Sequence, residues 1–311
     1  MEKTKKPWLI VMCGLAGSGK STLAKKIADE RDAEIISSDE LRKEMFGDET
    51  HQEDKNKLFT EYNKRIRTAL ERGSDVISDK TNLSIRSRRA ILEAVKDLDI
   101  YKECVICNIP FKKCLENNRN RERHVPEEVI RRQLYGFQVP FLEEGWDSIS
   151  ILPRVGSIPC EQMAGFDQKT PYHNLDLLQH SIRVAGAFGR KYPKWENLSL
   201  FHDVGKLYTQ KIGEDGIAHY IGHDNVGAYN ILNDKRLLEI DVLPAAFLAN
   251  YHMLPFQWNT KKSQEKWRKI FGDEKYEMLL YFNKCDKVRP KKNGEVLLEG
   301  EKLNTNKETN K

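Results

Sequence analysis

The sequence predicts an α/β domain over residues 1–152, a parallel sheet with helices on both faces, followed by an all-α domain over residues 153–311. Three observations predict it. Short apolar runs at 8–12, 34–37, 75–78, 105–109 and 149–152 alternate with helix-period stretches, the rhythm of parallel strands joined by crossover helices. The first run feeds directly into Gly14-Leu15-Ala16-Gly17-Ser18-Gly19-Lys20-Ser21, a complete G-x-x-x-x-G-K-[ST] pattern. Finally, Pro153-Arg154-Val155-Gly156-Ser157-Ile158-Pro159 interrupts the alternation, and the chain beyond it reads as helices without strand rhythm.

The loop after the first run is a phosphate cradle. Gly14, Gly17 and Gly19 let the backbone turn so that successive N–H groups, that of Ser18 included, point inward. The helix that starts near Lys20 and runs through Thr22 adds its positive end. Lys20 then reaches the β- and γ-phosphates and the Ser21 hydroxyl sits on Mg²⁺, so the pattern predicts a site for ATP with Mg²⁺.

In parallel sheets ligands bind beyond the carboxyl ends of the strands, so the polar residues there carry most weight. Asp39, in Ser37-Ser38-Asp39-Glu40-Leu41-Arg42, either accepts a hydroxyl proton or, like Ser38, caps the helix that begins there. Arg42, one turn on, shares its face and is either a grip for an anionic group of the acceptor or an ordinary surface arginine. Asp79 and Asn82, in Ser78-Asp79-Lys80-Thr81-Asn82, either orient metal-bound water or the acceptor, or make the local bonds of a strand-to-helix turn. Arg119, Arg121 and Arg123, with Arg131 and Arg132 beyond Pro126, either close over the nucleotide and neutralise the transferring phosphoryl group or face solvent.

Taken together these residues resemble the kinase half of the phage-type 5′-hydroxyl polynucleotide kinases. The resemblance covers roughly residues 8–150 and rests on G-L-A-G-S-G-K-S-T, S-S-D-E-L-R, I-S-D-K-T-N-L-S, N-R-N-R-E-R and V-P-E-E-V-I. It implies an α/β P-loop kinase domain in which Asp39 is the general base on an attacking 5′-hydroxyl and Arg42 contacts a phosphate of the nucleic acid. It also implies two lid arginines, four residues apart, on the nucleotide, the spacing of Arg119 and Arg123.

Beyond residue 153 the histidines accumulate, at 173, 180, 202, 219, 223 and 252. His202-Asp203-Val204-Gly205-Lys206 follows an apolar stretch, and His180 lies on the helical pattern of Leu177, Leu178, Ile182, Ala185 and Phe188. Adjacent His and Asp side chains can reach one ion where a helix is loosened, and Gly205 supplies the loosening. The order H…HD…D, carried by His180, His202, Asp203 and Asp286, resembles the HD phosphohydrolase superfamily over roughly residues 165–290. That resemblance implies an all-α HD domain with one or two divalent metals, Mn, Fe, Ni or Mg, whose bound water attacks a phosphate ester. His180, His202, Asp203 and Asp286 would hold the first ion, His223 and His252 would complete a second site, and Lys206 would hold substrate phosphate. Asp241 and Asp273 compete with Asp286 for its place, His223 and His252 read alternatively as packing histidines, and His173 and His219 read as surface residues.

Composition bounds the rest. A chain of 311 residues, 39% hydrophobic, can bury a sizeable core, and a net charge of +5 permits a nucleic-acid partner without requiring one. No apolar run approaches the roughly 20 residues of a membrane span, and the segment after Pro7 is too short for a signal peptide, so a soluble cytoplasmic protein with no membrane partner is expected. The six cysteines are scattered; Cys104 and Cys107 lack a second C-x-x-C, and all read as reduced core thiols. The polar tail over 291–311 is expected to be mobile at its end.

Three functions compete. The first is nucleic-acid end healing: a kinase for 5′-hydroxyl RNA or DNA joined to a phosphoesterase for a 2′/3′- or cyclic phosphate, leaving ends for a ligase. The second is a nucleoside, sugar or antibiotic kinase joined to a nucleotidase. The third is a non-enzymatic ATP-gated switch, which Asp39, His202 and Asp203 argue against. No single-strand stacking platform is visible, so the first function grips phosphates through Arg42 and nearby lysines. Oligomeric state is open.

Overall fold

A parallel sheet in the order β2-β3-β1-β4-β5 carries the first half of the chain, with β1 (Trp8–Cys13) at its centre. The computed structural model describes residues 6–49, 54–121, 123–170, 174–287, 289–290 and 296–297. His173 and most of the 291–311 tail, on which the sequence raised expectations, lie outside the described residues. β1 is apolar and enclosed on both faces, as a central parallel strand must be, and its partners are β3 (Val76–Asp79) and β4 (Tyr101–Cys107). β2 (Glu34–Ser37) and β5 (Ser148–Leu152) form the edges. β4 starts earlier than its apolar run because polar residues join the edge of the ladder: Ser150 donates to Glu103 at 2.5 Å and the Lys102 N–H to Asp147 at 2.7 Å.

The crossovers are α1 (Lys20–Arg31), α2 (Ser38–Phe46), α3 (Lys55–Glu71), α4 (Ile85–Ala94), α5 (Phe111–Arg119) and α6 (Glu127–Tyr135). Ser84 caps α4 through the Ser87 N–H at 3.2 Å. Beyond Pro153 come α7 (Leu177–Gly189), the single turns α8 (Glu196–Ser199) and α9 (Lys206–Thr209), α10 (His223–Asn233), α11 (Glu239–Tyr251) and α12 (Lys261–Asp286), which kinks at Gly272. Strands are not absent there, as the sequence reading had them. β6 (Lys211–Ile212) pairs antiparallel with β7 (Ala218–His219), and β8 (Arg289–Pro290) with β9 (Val296–Leu297). Ladders of two residues are too short to show alternation; the signal for the first is Asp215-Gly216, with Gly216 at φ 76°.

One apolar cluster runs across Pro153. Phe141 packs its ring at 5.5, 5.8 and 5.1 Å from Phe247, Tyr251 and Phe271, and Phe137 meets Tyr229 edge-on at 5.4 Å. Asn108, fully buried at the end of β4, donates to Tyr229 O at 2.9 Å and accepts from Asn233 at 2.7 Å. The described cysteines are all free, and no described helix is long and apolar enough to cross a membrane.

The deepest charges are structural. Arg88 makes a bidentate pair with Glu144 at 2.6 and 2.8 Å, both side chains fully buried, and also donates to the Asn82 and Gln138 carbonyls. Glu144→Gln keeps the shape and removes the charge that compensates Arg88. It is expected to cost about 3–5 kcal/mol, read as a lower urea midpoint at unchanged slope.

Candidate active sites

The phosphate loop is braced from behind by α5 and α6. Gly17 stands at φ 78°, and a Cβ there would lie 2.2 Å from Cys114 O, so α5 packs directly on the loop backbone. Asn117 donates to Gly17 O at 2.9 Å, and Gln133 of α6 accepts the Ala16 N–H at 2.8 Å. Lys20 opens α1, is buried, and donates to Leu15 O at 2.7 Å; burial lowers its pKa, and Asp79 at the end of β3 works against that shift. Gly17, Gly19, Lys20, Ser21 and Thr22 line a cleft of about 290 Å³ whose other wall is Asn117, Asn120 and Arg121.

At the end of β2, on the same carboxyl edge of the parallel sheet as the phosphate loop, the helix cap is Ser37, whose side chain accepts the Glu40 N–H at 3.3 Å. Neither Ser38 nor Asp39 caps α2, which leaves the Asp39 carboxylate for other partners. Arg42 donates to its Oδ1 at 2.7 Å and Arg123 to its Oδ2 at 3.0 Å. Both arginines also meet Glu49, Arg42 through the backbone carbonyl at 3.0 Å and Arg123 through the carboxylate at 3.3 Å. Arg42 is buried, while the Asp39 side chain remains 49% exposed and so open to an acceptor.

Two expectations change here. α5 ends at Arg119 and α6 begins only at Glu127, so a spacing of four does not bring Arg119 and Arg123 to one helix face. Arg119 turns toward Glu127 at 3.6 Å, Arg121 lines the nucleotide cleft, and Arg123 joins the acceptor side. Arg131 also pairs with Glu127, at 2.9 Å. Asn82 is only 1% exposed: it donates to Met12 O at 2.9 Å and accepts from Ser87 at 3.2 Å, so its side chain ties β1 to the turn after β3 rather than facing a substrate. Asp79 sits level with Ser37 in the ladder, at the carboxyl end of β3, and acts electrostatically on Lys20.

A second cluster forms in the helical half. α7 supplies His180, the turn after α8 supplies His202 and Asp203, His223 opens α10, His252 follows α11, and Asp286 ends α12. His180, His202, Asp203 and Asp286 offer one ligand atom each within 4.8 Å of one another, and so do Asp203, His223 and His252. Asp203 belongs to both groups. Its Oδ2 lies 3.5 and 3.4 Å from Nε2 of His180 and His202, and its Oδ1 lies 3.2 and 3.5 Å from Nε2 of His223 and His252. Asp286 Oδ1 is 3.1 Å from His180 Nε2. Asp241 belongs to neither group, and Asp273 is exposed and paired with Arg268 at 2.6 Å, so the last acidic place falls to Asp286; His219 is exposed.

These residues fit divalent cations. His202, His223 and His252 each place Nδ1 at 2.9, 2.8 and 2.7 Å from the carbonyl three residues earlier, those of Ser199, Tyr220 and Ala249. A carbonyl only accepts, so Nδ1 carries the proton and the Nε2 lone pair faces the cluster. His202 Nε2 is fully buried and makes no hydrogen bond. Burial opposes a charge on Asp203, but Lys206 and His202 outweigh it and hold the carboxyl well below its ordinary range. Burial likewise lowers His202, and Asp203 and Asp286 overturn that, carrying it up to about 10. Protons and a cation thus compete for the same nitrogens. Lys206 does not stand open to a phosphate: it is buried, 2.6 Å from Asp203 Oδ2, and donates to Gln168 at 2.9 Å.

Gln168, Asn117 and Gln133 were not singled out from sequence, and no local pattern marks them. The carbonyl three residues before each histidine is a regular signal, legible only once these histidines are known to sit at helical turns.

Residues 9–140 match the family model described as an AAA domain. Over 145 residues the chain is 31% identical to the L-seryl-tRNA(Sec) kinase of Methanococcus maripaludis, covering 45% of this chain and 56% of that protein. Over 157 residues it is 24% identical to the bifunctional polynucleotide phosphatase/kinase of Schizosaccharomyces pombe, covering 49% of this chain and 35% of that protein. Similar solved structures include the Pnkp1/Rnl/Hen1 RNA repair complex, at 18% identity and TM-score 0.40 over 43% of this chain and 45% of that one. Another is a gluconokinase from Sinorhizobium meliloti 1021, at 20% identity and TM-score 0.35 over 47% of this chain and 81% of that one. The chain spans about half or less of the curated relatives it matches. Its N-terminal half has a P-loop kinase-like fold and is similar in sequence to the kinase named for seryl-tRNA(Sec) and to the one named for polynucleotides alike.

Proposed function

We propose that the protein heals nucleic-acid ends: residues 1–152 phosphorylate a 5′-hydroxyl from ATP, and residues 153–311 act as an HD-type metal-dependent phosphoesterase on a 2′/3′- or cyclic phosphate. The observation that carries the reading is the Asp39 carboxylate, free of the helix cap, half exposed, and held between Arg42 and Arg123 after β2, at the same carboxyl edge of the parallel sheet from which the phosphate loop leaves β1. Both curated relatives support a hydroxyl borne by nucleic acid, since one is named for a polynucleotide and the other for a seryl-tRNA.

In the kinase, the loop N–H groups and Lys20 bind the β- and γ-phosphates of ATP. Mg²⁺, when bound beside Ser21, supplies charge neutralisation across those phosphates. Asp39 takes the proton of the acceptor hydroxyl as its oxygen bonds to the γ-phosphorus and the bond to the bridging oxygen breaks, releasing ADP. Arg121 faces the charge that develops on the nucleotide, while Arg42 and Arg123 orient Asp39 and present positive charge to the acceptor's phosphate.

In the helical half, His180, His202, Asp203 and Asp286 would hold one cation, and Asp203, His223 and His252 a second. A divalent ion there supplies a water of lowered pKa for attack on a phosphate ester. The chain's own part is to aim each Nε2 inward and to keep Asp203 ionised through Lys206. The mixed N/O set suits Mn, Fe, Ni or Mg.

The reading is tested by transfer of labelled γ-phosphate to 5′-hydroxyl oligonucleotides, RNA and DNA, with Lys20→Ala as control, alongside phosphate release from 3′-phosphate and 2′,3′-cyclic ends with Mn²⁺, Ni²⁺ or Mg²⁺. Transfer that disappears in the variant is expected. Absence of transfer to either polymer, with ATP and Mg²⁺ supplied, would reject it and direct the search to seryl-tRNA, which the 31% identity favours, and to small hydroxyl compounds.

A further inference from the structure

The His223/His252 pair is held in place from the other half of the chain. Two residues inward from each histidine stands an asparagine, and the two are bonded: Asn250 donates to Asn225 Oδ1 at 2.8 Å. Asn250, 2% exposed, also donates to Phe137 O at 3.2 Å and accepts the Val139 N–H at 2.7 Å, so its oxygen and both amide hydrogens are engaged. Asn225 donates to Tyr135 O. Tyr251, adjacent to His252, donates to Val139 O at 2.6 Å, and Gly222, adjacent to His223, lies so close to the Tyr135 ring that a Cβ would fall 2.6 Å from it. Both helix ends that present the second pair are therefore seated on residues 135–139, which begin two residues after Gln133, the α6 residue that holds the phosphate loop. His180, His202 and Asp286 come instead from α7, the turn after α8, and α12.

We propose that residues 135–139 of the kinase half are the positioning support of the second metal pair, acting through Asn225 and Asn250, so that the His223/His252 ion depends on this seat while the His180/His202/Asp286 ion does not. The inference rests on the metal reading given above. Each imidazole has its tautomer fixed by a carbonyl in its own turn, but the distance between the two rings is set by where the two helix ends sit. The asparagine network is what sets it.

The test uses the full chain as wild type, Asn225→Ala and Asn250→Ala, titrated calorimetrically with Mn²⁺ without nucleotide, with metal content measured after desalting and thermal unfolding followed in parallel. Wild type is expected to bind two ions. Each variant is expected to keep one ion at unchanged affinity and to lose affinity for the other. Asn225 is half-buried on the first turn of α10, so its variant stays informative even where Asn250→Ala, which strands the Val139 N–H, fails to fold. Two ions at wild-type affinities in Asn225→Ala would overturn the inference alone. Equal weakening of both ions would also overturn it, because a merely structural defect moves both. One ion or none in wild type would remove the second site and this inference together.

Discussion

Asp39→Asn is expected to lower the rate of phosphoryl transfer about 10²–10⁴-fold, the range general-base catalysis commonly contributes, while ADP binding stays near wild type. The amide has the same shape but cannot take the hydroxyl proton at neutral pH. The two arginines it loses as charge partners retain Glu49, so the pocket should keep its form. The helix cap is untouched because Ser37 supplies it. Single-turnover transfer from saturating ATP, measured beside ADP affinity, separates the outcomes. An unchanged rate with unchanged binding would reduce Asp39 to an ion-pair partner of Arg42 and Arg123 and would return the base to be found elsewhere, with Asp79 at the neighbouring strand end the first to examine.

Asp203→Asn is expected to remove both metal ions and the proposed phosphoesterase activity together, with a larger loss of affinity than the about 10–100-fold attached to outer partners. Asp203 is the one residue common to the two groups, each oxygen facing a different pair of imidazoles. A neutral amide in its place also leaves Lys206 buried beside a weaker partner, which adds a stability cost of about 3–5 kcal/mol. Metal analysis of the purified variant, with transfer from ATP as the internal control for folding, reads both effects. Retention of one ion at wild-type affinity would show that the groups do not share this carboxylate in solution.

Much of the architecture was legible beforehand because it is written in short periods. Five apolar runs marked five strands, and the glycine spacing marked the loop, since both depend on neighbours within a few residues. The segments 211–212 and 218–219 were missed because two residues cannot display a period of two. The choice among Arg119, Arg121 and Arg123 was not legible for a different reason: a spacing of four means one face only on a helix, and α5 ends at Arg119.

The sequence by itself determined the kinds of chemistry available: a phosphate cradle with Lys20 and Ser21, an acid at the end of the second strand, and the ordered series His180, His202, Asp203, Asp286. Tertiary structure alone decided which candidates converge. It freed Asp39 by giving the cap to Ser37, preferred Asp286 to Asp273, turned Asn82 inward, made Asp203 common to two groups, and seated His223 and His252 on residues 135–139. The physical reason is distance along the chain. Local motifs follow from backbone geometry and periodicity within a few residues, whereas His180 and Asp286 meet across 106 residues, and Val139 and Asn250 across 111, only because separate helix ends are packed against one shared core.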